Sequence, residues 1–272
     1  MEKVINLYKP IGLTPLQAID RFREGNRRYK SQKMSYAGRL DPMAQGVLLL
    51  LVGEENKKMR QYLGFDKEYK AKILLGFSSD TYDILGLVDD VSDSRGDASD
   101  DGEEIKELDE SEIKKTIKEF KGNYKQKLPA YSSYRVKGKS LFYYARKGKL
   151  DEIKIPEGEV VIKKVKVDSI YKIGSGKLLK EIKEKVGKVD GDFRQKEILK
   201  KWESLLKGKS GEDEKYVVVE VVIGCSSGTY IRAIANDFGK RLGVNSLLLN
   251  LIRTKVGKFE VGKSVRLKKM LN

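Results

Sequence analysis

Two rhythms of apolar and polar residues run along this chain of 272 residues, and between them they mark out most of its elements. Val4 to Leu7 reads as a strand entering a turn at Lys9-Pro10-Ile11-Gly12. Thr14-Pro15 is a helix start, with threonine as the cap and proline in the first position, and the helix runs on through Leu16, Ile19, Asp20 and Phe22. Residues 35–46 read as a loop with a short helical turn. The unbroken apolar run Val47 to Val52 then reads as a buried strand ending at Gly53. Tyr69 to Phe77 alternates as a strand, and Ser111 to Phe120 is a helix with Ile113, Ile117 and Phe120 on one face. A stretch rich in Tyr, Lys and Arg, 128–150, turns helical through Phe142 and Ala145. Val160 to Tyr171 alternates Val and Ile with Lys as an amphipathic strand. Residues 174–213 break this strand-rich pattern. They hold two amphipathic stretches, Leu178 to Val186 and Phe193 to Leu206, separated by Gly-Lys-Val-Asp-Gly, and read as an inserted helical hairpin. Tyr216 to Cys225 is a long apolar strand, Ser226 to Thr229 a turn, and Tyr230 to Leu242 a helix. A last strand at Val256 to Val261 and a short helix at Arg266 to Leu271 complete the pattern.

Composition narrows what such a chain can do. Its length allows one large domain or two small ones, and a single domain over 1–272 is the simpler reading. No run approaches the roughly 18 apolar residues of a membrane helix. The N-terminus has no apolar signal core. The single cysteine, Cys225, excludes an internal disulfide and fits a reducing cytoplasm. The net charge is +16, from 56 Lys and Arg against 40 Asp and Glu, and it is unevenly spread. Asp89 to Glu112 holds twelve acidic and two basic residues, a local −10 that leaves +26 on the remainder. Residues 89–110 therefore read as an acidic flexible loop, while the rest favours a polyanion such as RNA, DNA or an anionic membrane. Histidine is absent. That removes the commonest general base, every Ser-His or Cys-His nucleophile pair and histidine metal sites. Chemistry must come from Asp, Glu, Tyr, Lys, Arg or the one Cys.

Three segments are candidates for it. In Gly38-Arg39-Leu40-Asp41-Pro42-Met43, the carboxylate stands just before an apolar strand. Taken alone, an Asp-Pro pair is usually a helix cap. Cys225 to Arg232 joins a strand, a glycine turn and a helix start, a combination suited to an anion, whereas Arg232 by itself is more often a solvated helix charge. Lys67-Glu68-Tyr69 sets a tyrosine beside basic residues, as a base-stacking site would, though single strand tyrosines are usually half-buried packing. The same interleaving recurs from Tyr131 to Lys149, where tyrosines alternate with Arg135, Lys137, Lys139, Arg146 and Lys147, either as an RNA-facing surface or as a solvated face.

Together these segments resemble the TruB family of tRNA pseudouridine synthases, motif by motif and in family order. Tyr8-Lys9-Pro10-Ile11-Gly12-Leu13-Thr14 looks like the opening K-P-x-G-x-T/S. Gly38 to Leu48 looks like the catalytic G-x-L-D-P-x-A-x-G-x-L, and Lys67-Glu68-Tyr69 like the basic-x-Tyr segment. Asp80-Thr81-Tyr82-Asp83 with Gly86 follows D-T-x-D-x-x-G. Leu128 to Ser133, Lys137-Gly138-Lys139 and Tyr144-Ala145-Arg146 follow P-x-Y-S-A, K-x-G-K and Y-x-A-R. Gly228-Thr229-Tyr230-Ile231-Arg232 and Leu251-Ile252-Arg253 close the series.

The resemblance implies an α+β fold, with a central largely antiparallel mixed β-sheet flanked by helices and loops. It implies an isomerase that flips uridine 55 of the tRNA T-arm out of its stack and rejoins the uracil through C5, as a monomer without metal or cofactor. Asp41 would be the catalytic carboxylate, Arg232 its charge partner, and Tyr69 the residue that stacks on the base. Leu251 would keep the site dry, and Lys9, Tyr36, Arg39 and Tyr230 would bind substrate. Tyr36 stands where family members usually have His. The chain shows no counterpart of the family's C-terminal RNA-binding domain of the PUA type, and none of the quoted family motifs covers the 174–213 insertion. The alternative reading is a tRNA-folding chaperone in which catalysis is dispensable.

Overall fold

The computed structural model describes residues 2–89, 109–207 and 214–267. The acidic loop expected at 89–110 and the terminal helix expected at 266–271 therefore fall largely outside the described residues. The N-terminal third runs β1 (Val4–Lys9), α1 (Pro15–Glu24), β2 (Met34–Ala37), β3 (Ala44–Val52), α2 (Met59–Leu63) and β4 (Lys67–Leu75), followed by the short strands β5 (Ser78–Ser79) and β6 (Val88–Asp89). The middle holds α3 (Glu110–Lys118), β7 (Gly122–Lys127), β8 (Arg135–Val136), β9 (Lys139–Ser140), α4 (Leu141–Arg146) and the long β10 (Glu157–Gly174). Then come α5 (Ser175–Val186), α6 (Gln195–Lys207), β11 (Lys215–Cys225), α7 (Ile231–Arg241), β12 (Ser246–Val256), β13 (Phe259–Glu260) and β14 (Val265–Arg266).

Ten strands form one mixed sheet, in the order β14-β1-β3-β12-β4-β11-β10-β7, with β2 added to β3 and β13 to β12. Only the β1–β14 and β3–β12 pairs are parallel; the others are antiparallel. Position in this order explains the sequence of each strand. The inner strands β3 and β12 are covered on both faces over most of their length, and each carries a continuous apolar run, Val47 to Val52 and Leu247 to Leu249. The edge strand β7 alternates and sets Lys125 and Lys127 outward, which discourages further pairing. β3 and β12 approach unusually closely at Gly46. Its φ is +111°, and a Cβ there would lie 2.3 Å from the Arg253 carbonyl oxygen, so no other residue fits.

Local chemistry fixes the helices. Thr14 caps α1 and Gln17 reaches back to the Thr14 N–H, closing a capping box. Ala18, Ile19 and Phe22 then bury against Ile5, Leu7, Leu48 and Leu50 on one side of the sheet. The main core is larger, draws on both faces of the central strands, and includes residues of α3, α7 and both α5 and α6. Trp202 of α6 is fully buried, its ring centroid 5.0 Å from Phe77, which in turn stands 4.8 Å from Tyr216. The two helices at 175–207 are therefore part of the core and not an appendage to it.

Several elements differ from the pattern reading. Residues 34–37 are a strand, because β3 supplies a partner for them, and β3 itself begins at Ala44, three residues earlier than its apolar run. The central strand β12 was given no element by pattern, since a strand buried on both faces has no alternation to detect. The strand expected at 256–261 is instead a hairpin, made of the end of β12, a turn at 257–258 and β13, and Arg266 lies in β14, parallel to β1, not in a helix. β7 was also missed, its residues being mostly polar.

Candidate active site

The loop between β2 and β3 presents Asp41. Its backbone is a turn closed by the Ala44 N–H on the Asp41 carbonyl at 3.0 Å, and no helix follows. Arg253 of β12 fixes the approach to that turn. It is fully buried and donates to the carbonyls of Val47 (Nε, 2.7 Å), Arg39 (Nη1, 3.1 Å) and Gly38 (Nη2, 3.0 Å). A buried guanidinium holding three main-chain carbonyls turns a glycine loop into a rigid support for the carboxylate.

Arg232, in the first turn of α7, approaches from the opposite side. Its Nε donates to Asp41 Oδ2 at 2.8 Å, Nη1 to the Thr81 carbonyl at 2.6 Å and Nη2 to the Tyr131 carbonyl at 3.4 Å. Asp83 Oδ2 lies 3.5 Å from the same Nε. The side chain of Arg232 is 5% exposed and that of Asp41 is 33% exposed, so the cation is sealed in while the carboxylate can be reached. Read alone, Arg232 was a solvated helix charge; it is buried because two carboxylates and two carbonyls receive it. Burial pulls its pKa down, but Asp41 and Asp83 outweigh burial and raise it. Asp83 is fully enclosed. Burial lifts its pKa to about 6, against the opposing pull of Arg232 and the Thr81 hydroxyl.

The pair opens on a cleft of about 240 Å³ whose lining includes Arg39, Leu40, Lys67, Tyr69, Ser132, Tyr230 and Leu251. Tyr69 and Leu251 are buried strand residues. Burial pushes the Tyr69 phenol upward, so the ring meets a ligand with its proton on. Tyr230 is shifted the same way, again mainly by burial. Lys67, whose amine donates to the Leu63 and Phe65 carbonyls, is lowered to about 8 by burial first and Arg253 second. Its side chain is thus half committed to the protein. Gln126 organises the turn before α7, donating to the Gly228 carbonyl at 2.8 Å and accepting the Tyr230 N–H at 3.0 Å. That N–H is one of the donors an anion at this helix start would use, and Gln126 occupies it.

Of the eight residues singled out from sequence, Asp41, Tyr69, Arg232, Leu251, Arg39 and Tyr230 meet at this one cleft. Lys9 and Tyr36 do not line it. Lys9 is fully buried, and its Nζ donates to the carbonyls of Leu13 (2.7 Å) and Pro10 (2.9 Å), tying the first motif into a turn. Tyr36 is half-buried in β2 and packs toward the α1 side of the sheet. Arg253, Asp83, Lys67 and Ser132 stand inside motifs quoted from the sequence but were not named as site residues. Arg253 had one visible signal, its place in the Leu251-Ile252-Arg253 motif. Among the described residues no group of three or more Cys, Asp and Glu is placed to hold a metal ion. No described helix is long and apolar enough to cross a membrane.

Residues 26–189 match the family profile of the TruB family pseudouridylate synthases, N-terminal domain. The chain belongs to the TruB family. It is 30% identical over 270 residues to the tRNA pseudouridine synthase B of Ligilactobacillus salivarius, covering 99% of this chain and 72% of that protein. It is 31% identical over 268 residues to that of Clostridium tetani, covering 98% and 72%. Among solved structures it resembles a chain of the Cbf5-Nop10-Gar1 complex (TM-score 0.57, 20% identity, 97% of this chain and 52% of that one). It also resembles a chain of an H/ACA RNP bound to a substrate RNA containing 2'-deoxyuridine (TM-score 0.54, 19% identity, 97% and 50%). The TruB-family chain spans about half the length of those solved chains, and at that identity the likeness is one of fold. The α+β fold with its largely antiparallel mixed sheet is the one expected from sequence.

Proposed function

We propose that this TruB-family chain is a tRNA pseudouridine synthase that isomerises uridine 55 in the T-arm of tRNA, with Asp41 as the reacting carboxylate. The observation that carries the reading is the Asp41–Arg232 pair, 2.8 Å apart at the mouth of a cleft walled by Tyr69 and Leu251. The reaction breaks the N1–C1′ bond of uridine, turns the uracil and forms a C5–C1′ bond. The C5 proton leaves, N1 ends protonated, and nothing is gained or lost. Such a step needs an anion at C1′, where positive charge develops, and walls that retain the detached base.

Asp41 supplies the anion, aimed by a guanidinium that cannot turn away because Thr81 and Tyr131 also hold it. Leu251, Leu40 and Ile231 exclude water around the base. Tyr69, carrying its proton, stacks and donates; it could accept the C5 proton only after giving up its own. The uridine reaches the cleft by leaving its stack. Arg39, exposed at the rim, is set to meet the adjoining phosphate.

The test is to incubate a T-arm transcript with the chain and with Asp41→Asn, then map pseudouridine chemically. Conversion by the first and binding without conversion by the second is expected. Binding without conversion by both would sink the enzyme reading and leave an RNA-folding role, and an abasic site would show an N-glycosidase.

A further inference from the structure

The Asp41–Arg232 pair is braced from outside by the loop joining α5 and α6, a segment for which the family motifs supply no role. We propose that Arg194, at the end of that loop, is a positioning residue that holds Arg232 on Asp41; this rests on the reading of Asp41 as the reacting carboxylate. Arg194 makes a two-pronged contact with Asp80, Nη1 to Oδ2 at 2.8 Å and Nη2 to Oδ1 at 3.3 Å. Its guanidinium carbon also stands 5.0 Å from the centroid of the Tyr131 ring. These two contacts fall on the two chain segments that aim Arg232. Thr81, next to Asp80, and Tyr131 itself supply the carbonyls that receive Nη1 and Nη2, which leaves Nε for Asp41.

The same loop reaches the other partner. The Asp190 N–H donates to the Gly12 carbonyl at 3.0 Å, and the Gly12 N–H donates to the carbonyl of Pro42, the residue after Asp41, at 2.8 Å. Gly12 has φ +96°, and a Cβ there would lie 1.9 Å from the Lys188 carbonyl oxygen, so loop and motif meet backbone to backbone. Arg21 adds a contact to Asp190 at 3.2 Å. One loop thus touches the segments that support both halves of the pair.

Its own geometry is over-determined. Arg194 is a non-glycine residue at φ +62°, a conformation that persists only when its surroundings impose it. Gln195 imposes it here, donating to the Val189 and Gly191 carbonyls and accepting the Phe193 N–H. The Arg194 and Asp80 side chains are 30% and 29% exposed, and ion pairs at such exposure add little to stability. The effect of the contact is therefore on placement and not on folding.

The experiment uses the full chain, the T-arm transcript and the variants Arg194→Ala, Arg194→Lys, Asp80→Ala and the Arg194→Ala/Asp80→Ala double variant. Arg194→Ala is expected to lower the single-turnover rate about tenfold or more, as misplaced reacting groups do. Transcript affinity and Tm should stay unchanged, Arg194→Lys should fall between, and the double variant should be no slower than either single one. A second readout needs no turnover. The Arg232 Nε–H proton, held low-field and slow to exchange by Asp41, should move upfield and exchange faster in Arg194→Ala. Wild-type rate and resonance in Arg194→Ala would overturn the proposal, as would a loss confined to affinity or an additive double variant. If the wild-type chain itself forms no pseudouridine, the functional reading fails, and the Nε–H resonance alone decides whether Arg194 holds the pair.

Discussion

Arg232 shows how much of this site depends on company. Its neighbours Ile231, Ile234, Ala235 and Phe238 mark the buried stripe of α7, and on that pattern it would be a surface charge. Only the sheet's topology, bringing Asp41, Thr81, Asp83 and Tyr131 to one place, makes burial of a cation favourable. Asp41 was legible because a motif surrounded it, while its chemistry was not, since an Asp-Pro turn looks the same whether it caps or reacts. Lys9 and Tyr36 are legible as parts of motifs but do not line the cleft, Lys9 being buried in its own turn and Tyr36 half-buried in β2.

The buried partner Asp83 gives the site a pH dependence. With its pKa near 6, it is neutral below that pH and leaves Arg232 with one carboxylate instead of two. The single-turnover rate should therefore rise as pH passes through about 6, and Asp83→Asn should remove that step; a profile left unchanged by the substitution would contradict this coupling. The sign for stability is opposite. The folded pKa of about 6 exceeds the ordinary 3.8, so the native state binds the extra proton, and stability from this group falls as pH rises between the two. Lys9 behaves differently. Burial lowers its pKa from 10.5 to about 7, so across that window the unfolded chain binds the extra proton and stability rises with pH. Lys67, lowered to about 8, adds to the same trend, so denaturant melts at pH 7 and 9.5 should show a larger rise in the wild type than in Lys9→Met.

Among the elements, those with one wet face were readable and those without were not. Most helices and the alternating or apolar strands β1, β3, β4, β10 and β11 came through within a few residues. β12, which lies between β3 and β4 and supplies both Leu251 and Arg253, has no polar face to reveal it. β2 needed its partner to be a strand at all. The α5–α6 pair was read as a hairpin from its amphipathic spacing, but spacing could not say what it packs on. Trp202, sealed against Phe77 beside Tyr216, ties it to the main core. Trp202→Ala should cost about 3–5 kcal/mol, read from the midpoint of urea unfolding. A cost under about 1 kcal/mol would mean that the pair is a detachable appendage.

For the whole molecule, charge sets association and the fold sets chemistry. A net +16, with twelve of the 40 acidic residues gathered at 89–112, leaves a strongly basic remainder to meet phosphate. Affinity for the T-arm transcript should fall steeply with salt, with a log–log slope near −0.9 for each phosphate neutralised on a duplex stem. A flat profile would contradict an interface led by phosphate contacts. Neither that slope nor the sheet says what happens to the bound uridine, and that question rests on one carboxylate. The most direct measurement is the nucleoside balance of a single turnover. A T-arm transcript labelled in its uracil is converted by the wild-type chain and by Asp41→Asn, then digested and counted. The account predicts that each uridine lost at position 55 appears as pseudouridine, with no free uracil, and that Asp41→Asn binds the transcript and converts none. Free uracil from the wild-type chain, or pseudouridine formed at the wild-type rate by Asp41→Asn, would contradict it.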